Sequence, residues 1–250
     1  MSLQKNLNVS PYYDDFDPQK NFYRVLYKAG FPVQARELTQ SQSILQDQIE
    51  TLMSRILKEG DNVVPGEYGM VNPASYVRCS SITQGSSASE YIGYTLTGVT
   101  SGVQAFVIHA TDATADDDAT FYVNYTSSGN TSEYSTFIEG EVLETDTPNR
   151  YTGVVGVTSV SKPVSTPAIG SGSLFFVKEG SYFIDGFAVR NDEQIITLDK
   201  YGVTPTYRVG FVVTESIITS VEDPSLLDNS QGSSNFRICY ILRNVAWPHT

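Results

Sequence analysis

Histidine is nearly missing from this chain, with only His109 and His249 present. Neither has a thiol or hydroxyl partner at a recognised spacing, so a histidine triad or a histidine metal centre is not expected. Cysteine is equally scarce, limited to Cys79 and Cys239. Two thiols exclude a disulfide framework and a cysteine-rich zinc site, and they suit a reducing compartment. Basic residues number 16 against 28 acidic ones, giving a formal charge of −12. That surplus repels phosphate backbones and anionic lipid headgroups, so nucleic acid is not an expected partner. Long apolar runs are missing too, and the opening MSLQKNLNVSPYYDDFD has none of the apolar stretch of a signal peptide. Membrane insertion is therefore not expected, and synthesis in the cytoplasm is.

Catalytic signatures are also lacking. There is no GxSxG and no Walker motif, and GSGSLF at 170–175 lacks the third glycine and the following helix of a dinucleotide fingerprint. Ser159 and Lys162 fit S-x-x-K, but VTSVSKPVSTP reads as strand and linker, whereas that dyad needs a helical turn. The acidic stretches DDFD at 14–17 and DATADDD at 112–118 have neither the spacing nor the glycine of an EF-hand, and they read as solvated loops. His109 ends the strand-like VQAFVIHA and reads as a surface or turn histidine. The expectation is no enzyme, no cofactor and no metal.

What the sequence does carry is one long amphipathic segment near its start. Residues 1–33 read as a polar, turn-rich arm with a strand at 22–28 (FYRVLYK), closed by Gly30 and Pro32. Residues 34–59 then read as a long oligomerisation helix. Its apolar positions form a heptad seam, with Leu38, Leu45 and Leu52 at d and Ala35, Gln42, Ile49 and Ile56 at a. A helix of about 25 residues is a rod of roughly 37 Å. Ile44, Met53 and Leu57 lie off the seam, so one side is expected to meet the chain's own strands while the heptad side meets another helix. Gln42 sits inside the seam, where a polar residue costs stability and fixes register.

After Gly60 the period changes to two. Segments such as ASYVRCSSI, EYIGYTLTG, VQAFVIHA and ATFYVNYTSS are aromatic and β-branched, separated by Gly, Asp, Asn and Ser turns. The fold class expected is mainly β with one long N-terminal α-helix, read as a coiled coil, followed by two β blocks of sandwich or small-barrel type. The division expected is a connecting strand at 60–80, a small β domain at 81–160, a linker at 161–173, a second β domain at 174–225 and a tail at 226–250. Within VKEGSYFIDGFAV a hairpin is expected with Glu179 and Gly180 at its turn, and Asp185-Gly186 marks a second turn or a bulge.

The stretch PYYDDFDPQKNFYRVLYKAGFPVQARELTQSQSILQDQIE resembles the N-terminal region of virion structural proteins from large contractile-tailed bacteriophages. EGSYFIDGFAV, TPTYRVGFVVTESIIT and EDPSLLDNSQGSSNF resemble later parts of the same family. The resemblance implies a baseplate or tail-fibre-associated component, located in the virion and built into a homo-oligomer, often a trimer, with other tail proteins as partners and no catalytic residues. The heptad by itself leaves the copy number open, since Ile at a with Leu at d leans towards two strands. A receptor- or glycan-binding fibre module is the alternative, favoured by 16 Tyr and polar loops such as TSSGNTSEYST. A carboxylate-dependent glycan hydrolase is a third reading. From Arg237 the resemblance stops, and RICYILRNVAWPHT reads as a truncated or divergent ending without a partner strand.

Overall fold

The period-two segments after Gly60 form strands, and the amphipathic segment before it forms a helix. The structure, a computed structural model, describes residues 7–82, 87–129, 133–145, 152–156, 166–226 and 239–246. In chain order the helix α1 spans Ala35–Met53, followed by β1 (Asn62–Val64) and β2 (Tyr68–Ile82). Next come β3 (Thr95–Gly98), β4 (Gln104–Thr111), β5 (Ala119–Ser127), β6 (Val142–Glu144) and β7 (Thr152–Val155). Then follow β8 (Ile169–Val177), β9 (Gly180–Ile184), β10 (Phe187–Asn191), β11 (Gln194–Asp199), β12 (Val212–Thr219) and β13 (Cys239–Ala246). The chain is thus mainly β with one α-helix among the described residues.

It divides into two compact units. One holds Met1–Glu67, Lys178–Glu193 and Val209–Thr250, and the other Tyr68–Val177 and Gln194–Arg208. This is not the division expected from composition, because pairing is less local than turn spacing suggests. β2 is 15 residues long and serves several neighbours: most of its length pairs with β8, while its later residues pair with β5 and then β7. No boundary falls near residue 80, and 169–173 are strand rather than linker. Pro73 lies where the β2–β8 register shifts between Val71 and Ala74, the kind of break in which a residue without an N–H is tolerated.

In the second unit the antiparallel pairings run β2-β5-β4-β3-β6-β7 and return to β2, closing a ring of six strands. Inside it pack Val77, Leu96, Val103, Val107, Phe121, Val123 and Leu143, with Ala105 and Ala119 where large side chains would crowd. Each large member contributes about 1.5–3 kcal/mol on full burial. Tyr91 meets Phe121 edge-on at 6.4 Å. Outside the ring, Ala74, Tyr76, Tyr122 and Leu174 form a second apolar layer with Val71, Ile108, Ile195 and Tyr201. The glycines of GSGSLF serve close packing here. A Cβ at Gly170 would lie 2.6 Å from the Tyr76 hydroxyl, and one at Gly172 would lie 2.6 Å from the Lys200 carbonyl.

In the first unit, β9 and β10 pair as a hairpin whose turn is Asp185-Gly186, with φ of 46° and 80°. Positive φ at both central residues suits the right-handed twist of a two-residue hairpin. Glu179 and Gly180 are not its turn, since β8 pairs with β2 and β11 rather than with β9. β1 pairs with β9, and β12 pairs with β13 over eight residues from Val212↔Ala246 to Thr219↔Cys239. The segment 239–246 therefore has a partner strand, which a search for local hairpins misses because the two lie far apart in sequence. Residues 237–238 and 247–250 are outside the described residues, as are Ser159 and Lys162.

Two further expectations change. Residues 22–28 form no strand: the backbone is extended, but no partner ladder exists for it among the described residues, and all except Val25 are exposed. The helix ends at Met53, not at residue 59, so Ile56 lies beyond it. Its end tightens into a turn in which Ile56 N donates to the Met53 carbonyl at 2.9 Å, and Gly60, at φ 86°, redirects the chain. Gly60 N then donates to the Phe183 carbonyl at 2.8 Å. Pairing with β9 competes with further helix and wins.

Candidate interaction surface

α1 is a 19-residue helix, about 28 Å long, and its two faces have different fates. Glu37 accepts a hydrogen bond from Gln34 N at 3.1 Å, which caps the first turn. On the back face Ile44 is buried, with only 3% of its surface exposed. Around it the chain grips its own helix. Ser43 Oγ donates to the Asp14 carboxylate, Gln40 Nε2 donates to Asp15 at 3.3 Å, and Arg36 lies 3.7 Å from Asp15. Further along, Gln46 Nε2 donates to the Gly186 carbonyl at 2.6 Å, and a Cβ at Gly186 would lie 2.8 Å from that of Glu50. The hairpin tip is also held by Glu59, whose carboxylate accepts from Asp185 N at 3.1 Å.

The other face carries the heptad seam, and all of it is exposed. Ala35 and Gln42 lie open to solvent. Leu38 is 52% exposed, Leu45 59%, Ile49 50%, Leu52 68% and Ile56 77%. The structure brings Ala35, Leu38, Gln42, Leu45, Ile49 and Leu52 onto one helical stripe and leaves Ile56 in the turn beyond. Met53 and Leu57, off the seam, are half-buried. Beside the stripe, Gln48 Nε2 donates to the Tyr23 carbonyl at 3.4 Å, so the arm runs along one margin of it. Phe22, Tyr23, Leu26, Tyr27, Phe31 and Val33 of that arm are exposed as well. An apolar surface of this extent, rimmed by polar groups, is characteristic of an interaction site.

DDFD is thus a clasp rather than a solvated loop: Asp14 is nearly buried, and Asp17 accepts from Gln19 N at 3.0 Å to cap a short 3₁₀ turn. DATADDD is likewise structural. Asp112 accepts from Ser87 Oγ at 2.6 Å and from the backbone of Ala88, and these bonds hold its carboxyl below its usual range against the opposing effect of burial. Asp117 accepts from Arg78 Nη2 at 2.7 Å, from Lys200 Nζ at 2.5 Å and from the Tyr201 hydroxyl at 2.6 Å. The Arg78 side chain is fully buried, and its guanidinium sits 4.6 Å from the centre of the Tyr201 ring. Burial, with the Asp117 bond second, pushes the Tyr201 hydroxyl well above its usual range. Two cations, Arg78 and Lys200, meet two carboxylates, Asp117 and Asp118, so the cluster is balanced in charge.

Sequence reasoning missed this cluster because its members lie on separate elements. A weak signal existed: an arginine in the middle of the apolar ASYVRCSSI needs a buried partner. A carboxylate with so many donors aimed at it ties together the elements that carry them. His109 is half-buried rather than on the surface. A register shift after Val107 turns it onto Tyr122, ring centres 5.8 Å apart, and burial lowers its pKa. Among the described residues no three His, Cys, Asp or Glu side chains are grouped to hold a metal ion, and no helix is long and apolar enough to cross a membrane.

Residues 10–86 match the model of a family described as a domain of unknown function (DUF4815). The match spans the arm from residue 10, the clasp, α1, β1 and the whole of β2. No curated protein and no solved structure matches the chain.

Proposed function

We propose that this chain is a structural assembly protein, a component of a bacteriophage tail at the baseplate or fibre attachment, that associates with further copies of itself through the exposed face of α1. The observation that supports this most is the contrast between the two faces of one helix. The back is clasped by the chain's own arm and hairpin, while Leu38, Leu45, Ile49 and Leu52 are turned outward in a line. Full burial of such a side chain contributes about 1.5–3 kcal/mol, and these are already partly covered, so each adds roughly half that. Association must also offset about 4–15 kcal/mol of lost freedom, so it draws on the whole face and on the aromatic arm beside it. The place in a phage tail, and the number of three copies, rest on the resemblance of residues in the arm, in α1 and in the later β segments.

Light scattering at micromolar concentration tests the self-association. A mass of two or more chains is expected, falling to one chain when Ile49 and Leu52 are replaced by Asp. A single-chain mass that these substitutions leave unchanged removes the proposal. Mass spectrometry of purified particles tests the tail assignment, and absence of the protein from them overturns it.

A further inference from the structure

We infer that the copies meet in parallel and in register, with Gln42 of one copy facing Gln42 of the next. This rests on self-association through α1, as proposed above. The helical stripe from Ala35 to Leu52 is aliphatic except at Gln42. Its flanking positions are Thr39, Ser41, Gln46 and Gln48, none of them charged, in a chain of formal charge −12. Gln46 and Gln48 already donate to Gly186 and Tyr23 of their own chain. The charged residues of the helix, Arg36, Glu37, Asp47 and Glu50, lie off the stripe.

A face without charge meets its own copy without like-charge repulsion, which favours a second copy as the occupant. It also leaves no ion pairs along the margins to set direction, so that choice passes to Gln42. A carboxamide is its own complement, with one end donating and the other accepting. Parallel seating in register brings Gln42 to Gln42, where each satisfies the other. Antiparallel seating that keeps the stripe against itself sets Ala35 against Leu52, Leu38 against Ile49 and Gln42 against Leu45 of the second copy. There the amide is buried against hydrocarbon with its hydrogen bonds unmade, a penalty that the parallel arrangement avoids.

Disulfide trapping in a glutathione buffer distinguishes the two. The full chain carries Leu38→Cys or Ile49→Cys, and the parent chain is run alongside to account for Cys79 and Cys239. Parallel seating predicts that each variant cross-links to itself and that mixing the two yields little 38-to-49 product. Cross-linking only in the mixture establishes antiparallel seating and overturns the inference while leaving self-association intact. Adding Gln42→Leu, at an exposed position of the single chain, should allow both kinds of product to form. If that substitution leaves the same-site pattern unchanged, Gln42 does not set the direction and the inference falls. A single-chain mass in light scattering with no cross-linked product overturns both the inference and the self-association beneath it.

Discussion

Gln46 of α1 donates to the carbonyl of Gly186, 140 positions further along the chain, at 2.6 Å. A helix near one end of the sequence is thereby fixed to the tip of a hairpin in its second half. Gly186 can serve there because it has no side chain. Its φ is 80°, and a Cβ would press on Glu50 at 2.8 Å. Gly186→Ala should therefore cost about 1–3 kcal/mol, combining left-handed strain with displacement of the helix. Urea unfolding followed by helical circular dichroism checks this. A midpoint matching the parent would mean that the hairpin does not hold α1.

The buried cluster around Arg78 makes a sharper forecast. Replacing Arg78 by Met leaves the Asp117 and Asp118 carboxylates without their most deeply buried cation. Breaking a buried ionic arrangement by removing one partner costs about 3–5 kcal/mol. Arg78→Lys should recover part of the loss, since it keeps the charge but cannot span both Asp117 and the Thr166 carbonyl. Calorimetry of the full chain provides the test, and equal stability of the Met variant and the parent would show the cluster to be dispensable.

His109 predicts the response to mild acid. Burial lowers its folded pKa beneath the unfolded value of 6.5. The unfolded chain therefore takes up this proton first as pH falls. The stabilising contribution is complete above pH 6.5 and is lost as pH drops through the folded pKa. Urea midpoints between pH 8 and 5 should stay level and then decline below about 6.5. His109→Phe keeps a ring against Tyr122 and should flatten that decline; an unaltered slope would assign it to other groups.

The last strand gives a prediction opposite to the one its sequence suggests. β13 pairs with β12 through eight consecutive residues, so deleting residues 239–250 strips the partner from Val212–Thr219. Amide exchange at Val213, Glu215 and Ile217 should accelerate by about tenfold or more. The uncovered edge should also raise aggregation. Unchanged exchange would mean that the ladder contributes nothing.

The features legible in the sequence are those set by neighbouring residues. Heptad spacing placed a helix over 34–59 with a seam from Ala35 to Ile56; the helix is Ala35–Met53, Ile56 lies beyond it, and the off-seam Ile44 is buried on its other side. Asp185-Gly186 carries the signature of a tight turn, although the choice between it and Glu179-Gly180 depended on β9 meeting β10 rather than β8. What stayed hidden depends on distant partners. FYRVLYK at 22–28 has strand composition but no ladder among the described residues, and CYILRNVA looked unpartnered because β12 lies far upstream. Composition reports acidic runs such as DDFD and DATADDD as soluble; only the fold shows Asp14 receiving Ser43 and Asp117 receiving Arg78 and Lys200.

The clasp on the back of α1 bears on speed as well as strength. A helix of 19 residues is marginal in water by itself and would ordinarily have to form while it binds. Here the arm and the hairpin keep it wound before any encounter. On the self-association proposed above, a second copy meeting the outer face would find a finished surface, and its association would carry no toll of helix nucleation, the rate being governed by collision and orientation. Loosening the clasp at Asp14 should then slow that association, although Asp14 holds α1 from the face opposite the stripe.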